Sequence, residues 1–167
     1  MAISLVKGQS ISLEKTTGVK LSSVAMGLGW DIKKAKGLFG MFSGGGDIDL
    51  DASCLLFGAN GNLIDQVWFQ QLISQDGSIR HSGDNRSGAG SGDDETITVN
   101  LSNLPASVMT LVFTVNSFTG ENFSRVENAY CRLIDTSTKK EVAKYNLSSA
   151  GDYTGQIMAK LSRVTGE

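Results

Sequence analysis

Proline is nearly absent from this chain: Pro105 is the only one in 167 residues. Histidine is equally scarce, with His81 alone, and there are two cysteines. Cys54 and Cys131 sit in separate apolar stretches, Ser53-Cys54-Leu55-Leu56 and Ala129-Tyr130-Cys131-Arg132. Two such residues make no zinc motif and are expected to be buried thiols rather than a bridge. A Ser-His-Asp triad built from Ser82, His81 and Asp84 would use sequence neighbours, whereas the members of such a triad are brought together by the fold. No Gly-x-Ser-x-Gly elbow turns a strand into a helix, since Gly88-Ala89-Gly90-Ser91-Gly92 has the wrong spacing. His81 is therefore expected to be a hydrogen-bonding or surface residue, and no enzyme is expected. No phosphate-cradling Gly-x-x-x-x-Gly-Lys-Ser/Thr occurs. No apolar run approaches the ~18 residues of a membrane span, and the N-terminus lacks the basic start and apolar run of a signal peptide. Positive charge is not concentrated anywhere, with 15 basic residues against 17 acidic, so nucleic acid is not an expected partner. These absences describe a soluble protein of a reducing compartment.

What is present is a β pattern. The length and the 40% hydrophobic content fit one domain, residues 1–167, with a real core. Apolar and polar residues alternate in many short segments, the period of half-buried strands. Ile11-Ser12-Leu13 begins the pattern, and Val19 to Trp30 continues it. Ala52 to Phe57 is apolar enough for a central strand. Asn62 to Leu72, Thr96 to Leu101, Val108 to Val115 and Gln156 to Val164 follow. Ala129 to Ile134 and Glu141 to Tyr145 flank a polar loop and read as a hairpin. Gly58 to Asn62 and Gln75-Asp76-Gly77 are further turn signals. Trp30 and Trp68 lie in strand-like runs and are expected in the core. Glu121 to Asn128 has room for a helical turn or two, with Phe123 and Val126 facing inward. The fold expected is mainly β: a β-sandwich of two mostly antiparallel sheets with one or two short helices.

Acids break this rhythm in two places. Asp47-Ile48-Asp49-Leu50-Asp51 sets three carboxylates at alternate positions, on one face if the segment is extended. At ~5 Å each pair would cost about 3 kcal/mol at the effective dielectric of a protein surface, which a cation or full solvation removes. The second segment runs from Ser82 to Glu95. It offers side-chain oxygens from Asp84, Asn85, Asp93, Asp94 and Glu95 on a backbone bent by four glycines, Gly83, Gly88, Gly90 and Gly92. Calcium takes about six to eight hard oxygen ligands, main-chain carbonyls among them, and a glycine-rich loop can supply both kinds. Asp31, after Gly27-Leu28-Gly29-Trp30, is placed to add another carboxylate. Neither segment is an EF-hand: Arg86 and Gly88 occupy ligand positions in one, and Ala52 and Gly58 occupy key positions in the other. The competing reading is that the acids are solvated loop tips.

On these residues the chain resembles the TerD family of tellurium-resistance and stress-response proteins. Gly27-Leu28-Gly29-Trp30-Asp31, Asp49-Leu50-Asp51-Ala52, Gly83-Asp84-Asn85-Arg86-Ser87-Gly88 and Gly92-Asp93-Asp94-Glu95 carry the resemblance. Phe113-Thr114-Val115-Asn116 and Phe123 to Ala129 extend it, and the inserted Gly37–Gly46 segment points to the TerZ-like branch. The resemblance implies a cytoplasmic β-sandwich that binds two calcium ions side by side, from gene clusters linked to tellurite, phage and colicin resistance. Carried over position by position, the implied ligands are Asp31, Asp49, Asp84, Asn85, Asp94 and Glu95, joined by Asp47, Asp51, Asp76 and Asp93. Family members usually continue past the equivalent of Arg163 into a closing segment, which is expected to be missing here.

The implied role is a calcium-ordered interaction module whose partners are other proteins of the same resistance system. Leu38, Phe39, Met41 and Phe42, between glycines and beside Lys33, Lys34 and Lys36, are expected either to fold over a sandwich edge or to contact a partner or the inner membrane surface. Two alternatives belong to other classes. One is a hydrolase using bound metal to activate water, with His81 as its base. The other is a calcium-dependent binder of sugars or lipid headgroups.

Overall fold

The computed structural model describes residues 2–32, 49–85, 92–120, 122–146 and 152–163. Asp47, the apolar loop with Leu38, Phe39, Met41 and Phe42, and the centre of the glycine-rich loop lie outside the described residues.

In chain order the elements are β1 (Ile3–Ser4), α1 (Leu13–Thr17), β2 (Ser23–Ile32), β3 (Leu50–Phe57), β4 (Leu63–Val67), β5 (Ile79–His81), β6 (Glu95–Asn100) and β7 (Thr110–Ser117). A 3-10 turn (Phe123–Arg125) then leads into β8 (Val126–Asp135), followed by β9 (Lys140–Asn146) and β10 (Gly155–Ser162). Among the described residues one sheet has six strands in the order β1-β9-β8-β2-β6-β5, and the other has four in the order β10-β7-β3-β4. All pairs are antiparallel except β1 on β9. The expected two-sheet, mainly β fold is what the chain adopts.

Both sheets supply one core. Val24 and Leu28 of β2, Ile97 and Val99 of β6, and Leu133 of β8 face Leu50, Cys54 and Leu56 of β3 and Leu111, Phe113 and Val115 of β7. The apolar run at Ala52–Phe57 is apolar because β3 is interior, flanked by β7 and β4. Each fully buried Leu, Ile or Phe contributes roughly 1.5–3 kcal/mol. Both cysteines are buried and free, as their apolar surroundings predict.

One expectation needs correction here. Ile11-Ser12-Leu13 does not begin a strand. Ser12 caps a short helix by accepting from Lys15 N–H at 3.3 Å, and Gly18 ends it in the left-handed region at φ 75°. Capping signals override a three-residue alternation too short to pair. Between Asn122 and Asn128 the expected helical turn is the 3-10 turn, after which Val126 starts β8, and Phe123 and Val126 are buried as expected. The first described strand is instead β1, two residues whose pairing with β9 no local pattern signals.

Candidate metal centre

β3 begins at the rim of the sandwich. Leu50 and Ala52 are buried in the core, so strand alternation turns Asp49 and Asp51 to the other side. There Asp84, arriving on the loop after β5, meets them: carboxylate oxygens of Asp49, Asp51 and Asp84 lie within 4.8 Å of one another. Two of the three, Asp49 and Asp51, are buried, and Asp84 is exposed. Such crowding leaves its mark on Asp51. Its carboxyl is pushed up to about 6, first by burial and then by Asp49, Glu95 and Asp84, with His81 opposing.

Glu95, fully buried at the start of β6, ties the two sheets together here. Beyond Val67, β4 no longer flanks β3, and the main chain of Ala52 is served by side chains instead. Ala52 N–H donates to Glu95 Oε2 at 2.7 Å, and Ala52 C=O lies 3.1 Å from His81 Nε2. Glu95 Oε1 accepts from Asn85 N–H at 3.1 Å, fixing the acidic loop to the same carboxylate. His81 Nδ1 accepts from Gly83 N–H at 3.0 Å, which makes Nε2 the protonated nitrogen, donating to Ala52 C=O and 3.4 Å from Glu95 Oε2. His81 is thus buried and hydrogen-bonded on both nitrogens.

A second group of oxygens lies against β2. Asp94 Oδ2 accepts from Trp30 N–H at 2.9 Å, Asp94 N–H donates to Leu28 C=O, and Asn85 Nδ2 donates to Asp94 Oδ1 at 3.1 Å. Burial, then Asp31, Asp93 and Glu95, raise the Asp94 carboxyl, against the lowering effect of the Trp30 hydrogen bond. Asp31, exposed at the end of β2, accepts from Asn128 Nδ2 at 2.9 Å. Asn128 adopts φ 55° beside the register shift between Gly29 and Asp31, a conformation asparagine tolerates better than most residues.

Not every candidate ligand joins these groups. Asp93 is held elsewhere, by Arg132 (Nε to Oδ1, 2.8 Å; Nη2 to Oδ2, 3.1 Å) and by the Tyr130 hydroxyl. Asp76 serves its own turn, accepting from Ser78 N–H at 2.6 Å and Ser74 Oγ at 2.9 Å. Burial pulls the Asp76 carboxyl upward, but these hydrogen bonds leave it below the ordinary value.

Of the partners that organise the acids, His81 was expected as a hydrogen-bonding residue and is one, whereas Tyr130, Arg132 and Asn128 were not foreseen. The available signal was Gly27-x-Gly29 inside a strand, a pattern that marks close approach of another group. Trp68 also departs from expectation. It is half-buried, packs edge-on against Phe69 at 4.9 Å, and Phe69 meets the exposed Phe118 at 5.5 Å. Phe118 N–H donates to Asp49 C=O, so this aromatic shelf adjoins the carboxylates.

Comparison with known proteins agrees with this architecture. The TerD domain family matches residues 1–167. The chain is 52% identical over 165 residues to tellurium resistance protein TerZ of Serratia marcescens, covering 98% of this chain and 84% of that protein. It is 41% identical over 177 residues to general stress protein 16U of Bacillus subtilis (strain 168), covering 100% of this chain and 86% of that protein. A crystal structure of a homologue of telluride resistance protein (TerD) from Streptomyces coelicolor A3(2) superposes with a TM-score of 0.72 at 22% identity, over 87% of this chain and 83% of that one.

Proposed function

The chain belongs to the TerD family of tellurium-resistance and stress-response proteins, and from that membership we propose that it is a calcium-binding interaction module. The observation that carries the reading is the convergence of Asp49, Asp51 and Asp84 within 4.8 Å. Its donors are all carboxylate oxygens, the hard ligands that calcium prefers and that soft-ligand metals such as zinc do not select. Beside them Asn85 donates to Asp94, whose carboxyl also feels the charge of Asp31, and we assign Asp31, Asn85 and Asp94 to the second of two adjacent ions. Bound calcium would neutralise the crowded carboxylates and order the loop after β5, creating a surface for other proteins of the resistance system. We place the protein in the cytoplasm, with Leu38, Phe39, Met41 and Phe42 as a contact for the inner membrane surface.

Two features favour binding over catalysis. Both nitrogens of His81 are hydrogen-bonded, which leaves neither free as the base that a metal-dependent hydrolase would need. Burial pushes the thiols of Cys54 and Cys131 up to about 12, so they carry little thiolate for redox chemistry with an oxyanion at neutral pH. The aromatic shelf of Trp68, Phe69 and Phe118 favours a second reading, in which a sugar or lipid headgroup stacks there and completes the shell of the ion.

The test is a melting experiment on the wild type and the Asp49→Asn/Asp51→Asn double variant. Calcium should raise the melting temperature of the wild type and leave the variant unmoved. An equal rise in both would place any bound ion elsewhere. For the second reading, vesicles and sugars should bind in a calcium-dependent way that Phe118→Ser removes.

A further inference from the structure

Gly27 and Gly29 stand two residues apart in β2, and each is a glycine for want of space. A methyl group on Gly27 would overlap the carboxylate of Asp93, and one on Gly29 would lie 2.6 Å from the Tyr130 ring. The outer face of the six-stranded sheet is thus carved to seat two side chains. In that recess Asp93 takes a two-point grip from Arg132, with Nε–Oδ1 at 2.8 Å and Nη2–Oδ2 at 3.1 Å. The Tyr130 hydroxyl lies within hydrogen-bond distance of Asp93 Oδ1 at 3.1 Å and of Gly92 C=O at 2.8 Å. Lys144 Nζ lies 4.0 Å above the centre of the Tyr130 ring, and Glu141 meets Arg132 Nη1 at 3.4 Å.

Asp93 immediately precedes Asp94 and Glu95, the residues that tie Trp30, Asn85 and Ala52 into the acidic site. Its side chain points to the recess, where it ends the glycine-rich loop at a fixed point. Paired, two-point guanidinium–carboxylate contacts fix orientation as well as position.

We propose that Arg132 and Tyr130 are positioning residues: by latching Asp93 in the Gly27–Gly29 recess they set the geometry of Asp94 and Glu95, and hence the ion affinity of the site. This rests on the calcium-binding reading above. It also gives Asp93 a role distinct from ligation, and the two roles predict opposite signs. A latch lost on either side weakens binding. An Asp93 that ligates the ion would be freed by loss of Arg132, and binding would hold or tighten.

The experiment compares calcium affinity by calorimetry in the wild type, Arg132→Met, Asp93→Asn and the double variant, with the melt of each chelator-stripped protein alongside. Each single variant should bind calcium at least tenfold more weakly, and the double variant, which restores charge balance, should be no weaker than the worse single one. Arg132→Lys, which keeps the charge but not the two-point grip, should recover only part of the affinity. Unchanged or tighter binding by Arg132→Met overturns the proposal, as does a loss of affinity matched by a collapsed ion-free melt and absent from Arg132→Lys. If the wild type binds no calcium, the ion reading fails by itself, and the latch is read from amide exchange in the ion-free protein. The Asp94 N–H should then exchange at least tenfold faster in Arg132→Met, and an unchanged rate overturns it.

Discussion

Asp51 and Glu95 carry the same formal charge and repel one another, yet their removal should act in opposite directions. Asp51 has a folded-state carboxyl raised from 3.8 to about 6. The native protein therefore holds that proton more tightly than the unfolded chain, and this group's contribution to stability falls as pH rises from about 4 to 6. At neutral pH the penalty is fully present and, with solvent screening at the rim of the sandwich, is worth about 1–3 kcal/mol. Asp51→Asn should accordingly stabilise the ion-free protein at pH 7 by about 1–3 kcal/mol. The difference from wild type should shrink toward pH 4 in denaturant unfolding. Calcium must bind the ionised form, so its affinity for the wild type should fall as pH drops below about 6. Glu95→Gln removes a charge too, but both Glu95 oxygens accept main-chain N–H groups, from Ala52 and Asn85. An amide has one acceptor oxygen, so one of these donors, buried at Ala52 or part-buried at Asn85, loses its partner. That should destabilise the ion-free protein by about 1–3 kcal/mol, and a stabilised Glu95→Gln would contradict the bridging role assigned to this carboxylate.

At the scale of elements, β2 is the strand on which the site is assembled. It lies between β6 and β8, lends Trp30 N–H to Asp94, and makes room for Asp93 and Tyr130 at its two glycines. Gly29→Ala should cost about 1–3 kcal/mol through overpacking against the Tyr130 ring. Tyr130→Ala in the same chain should return part of that loss, because the ring is what the methyl meets. Thermal melts of the two single variants and the double variant measure this, and simple additivity would mean that the ring and the methyl do not compete. Most strands were legible because β3, β6 and β7 alternate or run apolar as interior strands must. β1 was not, since two residues carry no period and their partner lies far along the chain. α1 was masked by an alternation at Ile11–Leu13, although Ser12 and Gly18 marked its ends. Within the candidate site, Asp49, Asp51 and Asp84 were legible as converging oxygen donors, but the division of labour among the remaining acids was not. Nothing in Gly92-Asp93-Asp94-Glu95 distinguishes the carboxylate that Arg132 claims from its neighbours, because that choice is made by a strand 39 residues away. Asp76 likewise belongs to a turn rather than to the site for reasons that lie in Ser74 and Ser78.

For the whole molecule, the two sheets meet at the acidic rim through Glu95 and His81, so an ion bound there should stabilise the entire sandwich rather than one loop. Micromolar affinity would add about 4 kcal/mol at millimolar ion, spread over a fold whose total stability is roughly 5–15 kcal/mol. Magnesium, which demands tight octahedral geometry and keeps its water, should add less. The most direct measurement is calorimetric titration of the chelator-stripped protein with calcium and, separately, with magnesium. Micromolar calcium binding, with magnesium much weaker, is the predicted result. No heat and no shift in the melt with either ion would contradict the central claim and leave Asp49, Asp51 and Asp84 as an unfilled acidic rim on a sandwich that works by other means.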